Sequence, residues 1–103
     1  MNIADAQKLV WENKVAKGFD KSDVPTEFCY IQGELAEAFE AWRTKSESLS
    51  EELADVVIYV LGLATMTNID LAEAVREKIS KNAKRRYITD PQTGSHLRVY
   101  DGD

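Results

Sequence analysis

Apolar residues recur along this chain at intervals of three and four, which predicts amphipathic helices separated by short polar loops. The first helix is expected at about residues 3–17, because Asn2 is a suitable N-cap and Gly18 is a natural stop. Pro25 suits the first turn of a second helix, which is expected at about residues 25–43.

The second helix carries large apolar side chains at helical spacing, and this stripe predicts a face that is buried in the core. The stripe consists of Phe28, Ile31, Leu35, Phe39 and Trp42. The neighbouring Cys29 is expected to be a small, buried or half-buried side chain.

The segment from about residue 49 to 66 is apolar nearly all round in its middle, so it is expected to form a central third helix. Ser48 and Glu51 have the spacing of a capping box at its start. Valine and isoleucine also favour strands, which is the rival interpretation. A helix is favoured because EELAD runs into VVIYVLGLA without a break.

A fourth helix is expected at about residues 71–86, followed by the turn TDPQTG. The segment HLRVY is then either a short strand or an arm that docks on a partner subunit. Together these elements predict an all-α fold, a four-helix bundle with short loops. A helical domain is expected at 1–87 and a C-terminal tail, the candidate oligomer arm, at 88–103.

Composition narrows the class of protein. The 103 residues predict one domain, and a net charge of −5 argues against binding to nucleic acid polymers. The single cysteine, Cys29, excludes an intrachain disulfide and fits a reducing cytoplasm. The longest apolar run, Val56 to Ala64, is far shorter than the roughly 20 residues of a membrane span. The prediction is therefore a cytoplasmic protein without a membrane partner.

Two matched pairs of acidic residues are the strongest chemical signal. Glu34 and Glu37 are three residues apart, as are Glu52 and Asp55, so each pair shares a helix face. If the second and third helices are antiparallel, the four carboxylates lie at similar heights and need a positive charge between them. Oxygen ligands without histidine or thiolate favour magnesium, with manganese as a substitute. Glu51 remains an alternative ligand to Glu52.

Magnesium held by carboxylates usually also binds substrate phosphates, which indicates a nucleotide or another polyphosphate. One face of the fourth helix carries Lys78, Asn82 and Arg85 or Arg86, which suit phosphate contacts. Flat side chains for a base are available in Trp11, Trp42 and Tyr59, although Trp42 is more expected in the core. Taken singly, each acidic pair or basic end is also typical of a solvated helix face.

The segments GELAEAFEAWR and EELADVVIYVLGLA resemble the MazG-like nucleoside triphosphate pyrophosphohydrolases, whose signature is Glu-x-x-Glu, a gap, and Glu-x-x-Asp. The resemblance covers about residues 5–87 and includes NIDLAEAVREKISKNAKRRY. It implies an all-α fold that assembles as dimers or tetramers with active sites near subunit contacts. It also implies magnesium-dependent hydrolysis of a nucleoside triphosphate to a monophosphate and pyrophosphate, here with deoxynucleotides as the expected substrates and nucleotide-pool cleaning as the role.

The resemblance also implies roles for individual residues. Glu37, besides being a ligand, is the expected catalytic residue that orients or deprotonates the attacking water. Tyr59, one turn after Asp55, is expected to touch the sugar or base, and Trp11 is a second candidate for the base. The implied metal ligands are Glu34, Glu37, Glu52 and Asp55, and the implied substrate contacts are Lys78, Asn82 and Arg85. The alternative is a non-catalytic helical module that binds nucleotides or other proteins.

Overall fold

The computed structural model describes residues 1–99, which form four helices and one short two-stranded sheet. The helices are α1 (Ile3–Ala16), α2 (Val24–Arg43), α3 (Leu49–Met66) and α4 (Leu71–Lys84), and the strands are β1 (Arg86–Thr89) and β2 (His96–Val99). The predicted all-α class is confirmed, and the helix ends agree with the prediction within two residues. The rival strand interpretation of α3 is wrong.

Local sequence sets where the first two helices begin and end. The Asn2 side chain accepts a hydrogen bond from the Asp5 N–H at 2.8 Å, and Asp23 caps α2 in the same way. Gly18 has a φ of 72°, which ends α1, and the Phe19 N–H then donates to the Lys14 carbonyl at 3.1 Å. This turn places Phe19 beside the last residues of α1.

The predicted capping box at the start of α3 does not form. Ser48 has φ −80° and ψ −1°, which is helical backbone rather than the extended backbone of an N-cap, and its side chain makes no capping bond within residues 1–99. Its hydroxyl lies 2.8 Å from the Ser46 hydroxyl instead. The predicted partner, Glu51, is exposed.

The chain divides into two compact units, Met1–Ala72 and the remainder from Glu73. In the first unit α3 packs against both α1 and α2. Its buried apolar residues are Ala38, Ala41, Leu61, Leu63 and Ala64. The small alanines of α2 allow α3 to approach closely, which explains why the apolar α3 is the central helix.

One side chain ties α1 to the far end of this first unit. The Gln7 amide donates to the Ile69 carbonyl at 2.8 Å and to the Thr65 hydroxyl at 3.1 Å. Its oxygen accepts from the Leu71 N–H at 3.2 Å, at the first residue of α4. Gln7 therefore holds the loop between α3 and α4 in place.

In the second unit β1 and β2 pair antiparallel, with Arg86 opposite Val99 and Thr89 opposite His96. The strand alternative for HLRVY is confirmed for residues 96–99, whereas Tyr100 and the rest of the predicted tail lie outside the described residues. The pairing partner β1 was missed, and its first residue, Arg86, was assigned to the end of the fourth helix. The predicted domain boundary after residue 87 stays a prediction.

The predicted buried stripe of α2 is wrong in phase. Four of its residues are 52–64% exposed, and only Ile31 is half-buried. We call this exposed set the outer apolar face; it consists of Phe28, Leu35, Phe39 and Trp42. The buried residues of α2 are Glu27, Ala38 and Ala41 instead, and α2 packs against α3. Cys29 is also exposed, contrary to expectation.

Among residues 1–99, no single helix is long and apolar enough to cross a membrane; α3 and α4 reach that threshold only when they are counted together as a bent pair, by length and composition.

Candidate active site

Three acidic side chains from two helices converge in the first unit. Glu34 and Glu37 on α2 and Glu52 on α3 each offer a carboxylate oxygen, and these oxygens lie within 4.8 Å of one another. Glu34 and Glu52 are half-buried, whereas Glu37 is exposed. We call these three residues the carboxylate cluster. It unites one complete predicted pair with one member of the other.

The cluster is electrostatically unfavourable without a cation. Burial raises the pKa of Glu34, and the charges of Glu37 and Asp55 raise it further. Burial likewise raises the pKa of Glu52, and the same two charges add to the effect. Asp55 lies outside the group of three, but it is near enough to act on both half-buried members.

Two oxygens of the cluster lack partners. Glu34 Oε2 and Glu52 Oε2 are buried, and neither has a hydrogen-bond partner among residues 1–99. Buried polar atoms are normally paired, so oxygens that instead face further carboxylates call for a positive charge. Hard divalent cations prefer carboxylate oxygens, and these residues therefore fit such an ion. Glu52, rather than the alternative Glu51, contributes to the cluster.

Tyr59 lies on α3 one turn after Asp55, as expected. Its ring meets the Tyr30 ring edge-to-face, with 6.1 Å between centroids. Burial raises the pKa of the Tyr59 hydroxyl, and the charges of Glu34 and Glu27 raise it further. Tyr59 is therefore within electrostatic reach of both the carboxylate cluster and the buried acid Glu27.

Tyr59 also lines two cavities of the first unit, of about 140 and 410 Å³. Both cavities share Lys14, Phe19 and Glu27 as lining residues, and Tyr30 lines the larger one. Lys14 Nζ lies 2.7 Å from Glu27 Oε1, and the two residues are only 8% and 6% exposed. We call them the buried ion pair.

Sequence reasoning missed the buried ion pair, although helical phase carried the signal. Lys14 is four residues after the half-buried Val10, and Glu27 is seven residues before Glu34, so each lies on the inward face of its helix. Acids three residues apart on one helix leave a spacing that the sequence shows, whereas a lysine and an acid on separate helices leave none.

The other predicted substrate contacts belong neither to the carboxylate cluster nor to the lining of the two cavities. Trp11 is half-buried on α1 but is not among the lining residues of the two cavities. Lys78 and Asn82 are exposed on α4, and Arg85 directly follows that helix, all in the second unit. Arg85 Nε is buried without a hydrogen-bond partner among residues 1–99. The roles of these four residues in substrate binding stay predictions.

Comparison with known proteins identifies the family to which the chain belongs. Residues 28–95 match the MazG-like family, and the chain belongs to that family. No solved structure matches the chain significantly.

Three relatives of the chain carry names that specify deoxynucleoside triphosphate substrates. The chain is 38% identical over 80 residues to dCTP pyrophosphatase 1 of Rattus norvegicus, covering 67% of this chain and 46% of that protein. It is 34% identical over 102 residues to the dATP/dGTP diphosphohydrolase of Salmonella phage PMBT28, covering 97% of this chain and 32% of that protein. It is 42% identical over 67 residues to dCTP pyrophosphatase 1 of Homo sapiens, covering 53% of this chain and 38% of that protein. The chain thus spans less than half the length of each of these relatives.

Proposed function

We propose that this chain is a nucleoside triphosphate pyrophosphohydrolase that uses magnesium, hydrolyses deoxynucleoside triphosphates to monophosphates and pyrophosphate, and so clears unwanted nucleotides. The observation that carries the proposal is the carboxylate cluster, in which two buried oxygens lack partners among residues 1–99. Membership of the MazG-like family and the names of the relatives support the reaction and the deoxynucleotide substrates.

The residues divide the work according to their exposure. Glu34, Glu37 and Glu52 would hold the cation, with Asp55 beside them. When bound, the cation neutralises charge on the phosphates and polarises their oxygens. Glu37 is the exposed member of the cluster, so its carboxylate reaches solvent. We assign it to orient the attacking water and accept its proton as the bond between the α and β phosphates breaks and pyrophosphate leaves.

The remaining contacts of the substrate follow from the family resemblance. Lys78, Asn82 and Arg85 would donate hydrogen bonds to the phosphates, and Tyr59 would contact the sugar or base. Trp11 is kept as a further candidate for the base. Substitution of Lys78 by methionine is expected to weaken substrate binding through the loss of one positive charge.

We further propose that the protein acts as a homo-oligomer, a dimer or tetramer, in the cytoplasm. The outer apolar face supports this assembly, because contiguous exposed apolar surface commonly marks an interface. Phe39 and Trp42 in this face contact each other, with ring centroids 6.0 Å apart. Sedimentation velocity of the wild type and of Phe39→Glu tests the assembly: the variant should sediment as a smaller species. Cys29 is a free thiol, as is usual for cysteines in a reducing cytoplasm.

The decisive experiment measures pyrophosphate release from a panel of deoxy- and ribonucleoside triphosphates with Mg²⁺ or Mn²⁺. Glu34→Gln should lower kcat/KM by more than about 100-fold, since even residues behind metal ligands contribute about 10–100-fold. Glu40→Gln is the matched control, because Glu40 lies on the same helix but is exposed and pairs with Arg43. Its kcat/KM should match that of the wild type.

Two outcomes would contradict the enzyme. If no triphosphate is hydrolysed with either metal, the chain is not a pyrophosphohydrolase. Thermal stabilisation by Mg²⁺ and nucleotide without turnover would then favour a nucleotide-binding module. No response to metal or nucleotide would favour a helical module that binds other proteins.

A further inference from the structure

The larger cavity and the carboxylate cluster lie along one face of α2. Glu27, in the cavity wall, and Glu34, in the cluster, are seven residues apart, which is two turns and about 10 Å along the axis. Tyr30, one turn before Glu34, and Tyr59, one turn after Asp55, both line the cavity. A molecule whose phosphates lie at the cluster therefore has the cavity within reach of its other end.

The wall of the larger cavity is acidic. Asp20, Asp23 and Glu27 contribute three carboxylates, and Lys14 is the cation among the lining residues. This charge balance repels phosphate groups. It suits instead a neutral ring that carries hydrogen-bond donors and packs against the aromatic side chains of Tyr30 and Tyr59.

The buried ion pair supplies hydrogen-bonding groups in this wall. Lys14 Nζ contacts Glu27 Oε1 at 2.7 Å and the weak acceptor Met66 Sδ at 3.6 Å, while an ammonium carries three donors. Glu27 uses only Oε1 in the pair, so Oε2 remains as an acceptor. The pair thus retains one acceptor and one donor side by side, in a setting where their hydrogen bonds are weakly screened.

We propose that the larger cavity binds the nucleobase of the substrate and that Lys14 and Glu27 select bases with an exocyclic amino group. The amino group donates to Glu27 Oε2, and the adjacent ring nitrogen or carbonyl accepts from Lys14 Nζ. Cytosine presents this arrangement, whereas uracil places a carbonyl where cytosine has the amino group, opposite a carboxylate. This inference rests on the proposed function and specifies its substrate class.

The first test compares dCTP, dUTP and the base-free 2-deoxyribose 5-triphosphate as substrates. The wild type should prefer dCTP to dUTP by about tenfold or more, because an acceptor left facing a carbonyl is poorly satisfied. The double variant Lys14→Met/Glu27→Gln removes both charges at similar volume. It should lose the preference for dCTP, and its kcat/KM should fall by a larger factor on dCTP than on the base-free substrate.

Leu9→Ala is the control for a general change in α1, because Leu9 is 55% exposed and lines neither cavity. It should retain the wild-type preference. Equal loss on all three substrates in the double variant would show that the buried ion pair is structural only. Equal rates of the wild type on dCTP and dUTP would also overturn the proposal.

A second measurement does not depend on turnover or on folding of the double variant. Deoxycytidine, which has no phosphate, is titrated into the metal-free wild type while NMR follows Lys14, Tyr30 and Tyr59. Their resonances should shift, and Phe19→Ala should weaken the binding, since Phe19 is 59% exposed in the cavity wall and its loss spares the core.

The two hypotheses fail differently. If no triphosphate is hydrolysed but deoxycytidine still shifts these resonances, the proposed function is wrong and the base site stands. If triphosphates are hydrolysed but deoxycytidine shifts none of the three residues, the base site is wrong and the enzyme stands.

Discussion

Glu27 and Glu34 lie seven residues apart on one face of α2, yet their carboxylates have opposite surroundings. Glu27 is buried against the ammonium of Lys14 at 2.7 Å. Glu34 meets the carboxylates of Glu37 and Glu52, with Asp55 nearby, and burial and these charges raise its pKa. The protein thus supplies the counter-charge at one site, whereas at the other we propose that a bound cation supplies it.

The contrast separates charge that is neutralised within the chain from charge that needs a bound ion. The charges of a buried ion pair balance each other in the folded chain, even where the pair keeps hydrogen-bonding groups for a ligand. A set of like charges with unpartnered buried oxygens is completed only by something from solvent. Burial of an acid is therefore a weaker indication of a cation site than the absence of its partner.

The largest expected effect comes from breaking the buried ion pair on one side. Glu27→Ala leaves the Lys14 ammonium buried without its partner and should lower the free energy of unfolding by about 3–5 kcal/mol. Urea denaturation followed by circular dichroism measures the loss. Lys14→Met/Glu27→Gln, which removes both charges, should stay within about 1 kcal/mol of the wild type. Equal destabilisation by the two variants would mean that packing, rather than charge, matters here.

In the carboxylate cluster, removal of a charge is expected to stabilise the metal-free protein rather than destabilise it. Because the folded-state pKa of Glu34 is raised, its charge destabilises the fold fully above that pKa, and the effect disappears only below the ordinary pKa of a glutamic acid. Glu34→Gln should therefore raise the Tm of the metal-free protein at neutral pH by about 2–4 °C and leave it unchanged in acid. Magnesium should stabilise the wild type but not the variant.

A control substitution at a surface residue separates the expected rise in the Tm of Glu34→Gln from a general effect of removing a charge. Differential scanning fluorimetry with EDTA at neutral and acid pH, and with Mg²⁺ at neutral pH, gives the Tm values needed. Glu12→Gln, at an exposed position on α1, is the matched control and should leave Tm unchanged at both pH values. A lower Tm for metal-free Glu34→Gln at neutral pH would refute the picture of uncompensated repulsion.

The smallest effect is expected at an ion pair that is not buried. Glu40 and Arg43 pair on the exposed side of α2, where their side chains are 56% and 59% accessible. Arg43→Gln should change the free energy of unfolding by less than about 0.5 kcal/mol, because solvent screens the pair. A loss as large as that of Glu27→Ala in the same urea experiment would show that burial does not explain the difference.

The sequence was sufficient to predict the positions of the four helices and the residues of the carboxylate cluster. Spacing alone located all four helices, since their apolar periods and the caps at Asn2 and Asp23 act locally. Glu34, Glu37 and Glu52 were found because residues three apart share a face. Their roles as metal ligands, and the role of Asp55, remain proposals.

Three features depend on tertiary contacts and could not be predicted from local sequence patterns: the buried face of α2, the strand β1 and the buried ion pair. Large apolar residues on α2 indicated a buried face, but α3 packs on Ala38 and Ala41, and this choice depends on the shape of the partner helix. The strand Arg86–Thr89 is too short for a clear alternating pattern and forms through its pairing with β2. The buried ion pair likewise joins two helices whose register no local pattern specifies.

The hydrogen bond between Gln7 and the Leu71 N–H has a consequence for the order of folding. It joins residues 64 positions apart, so the acceptor for the first amide of α4 arrives only when α1 has docked. Closing such a long loop is slow relative to forming a helix turn. Amide exchange at Leu71 should therefore report the docking of α1, and the first turn of α4 should gain protection after the interior of α3.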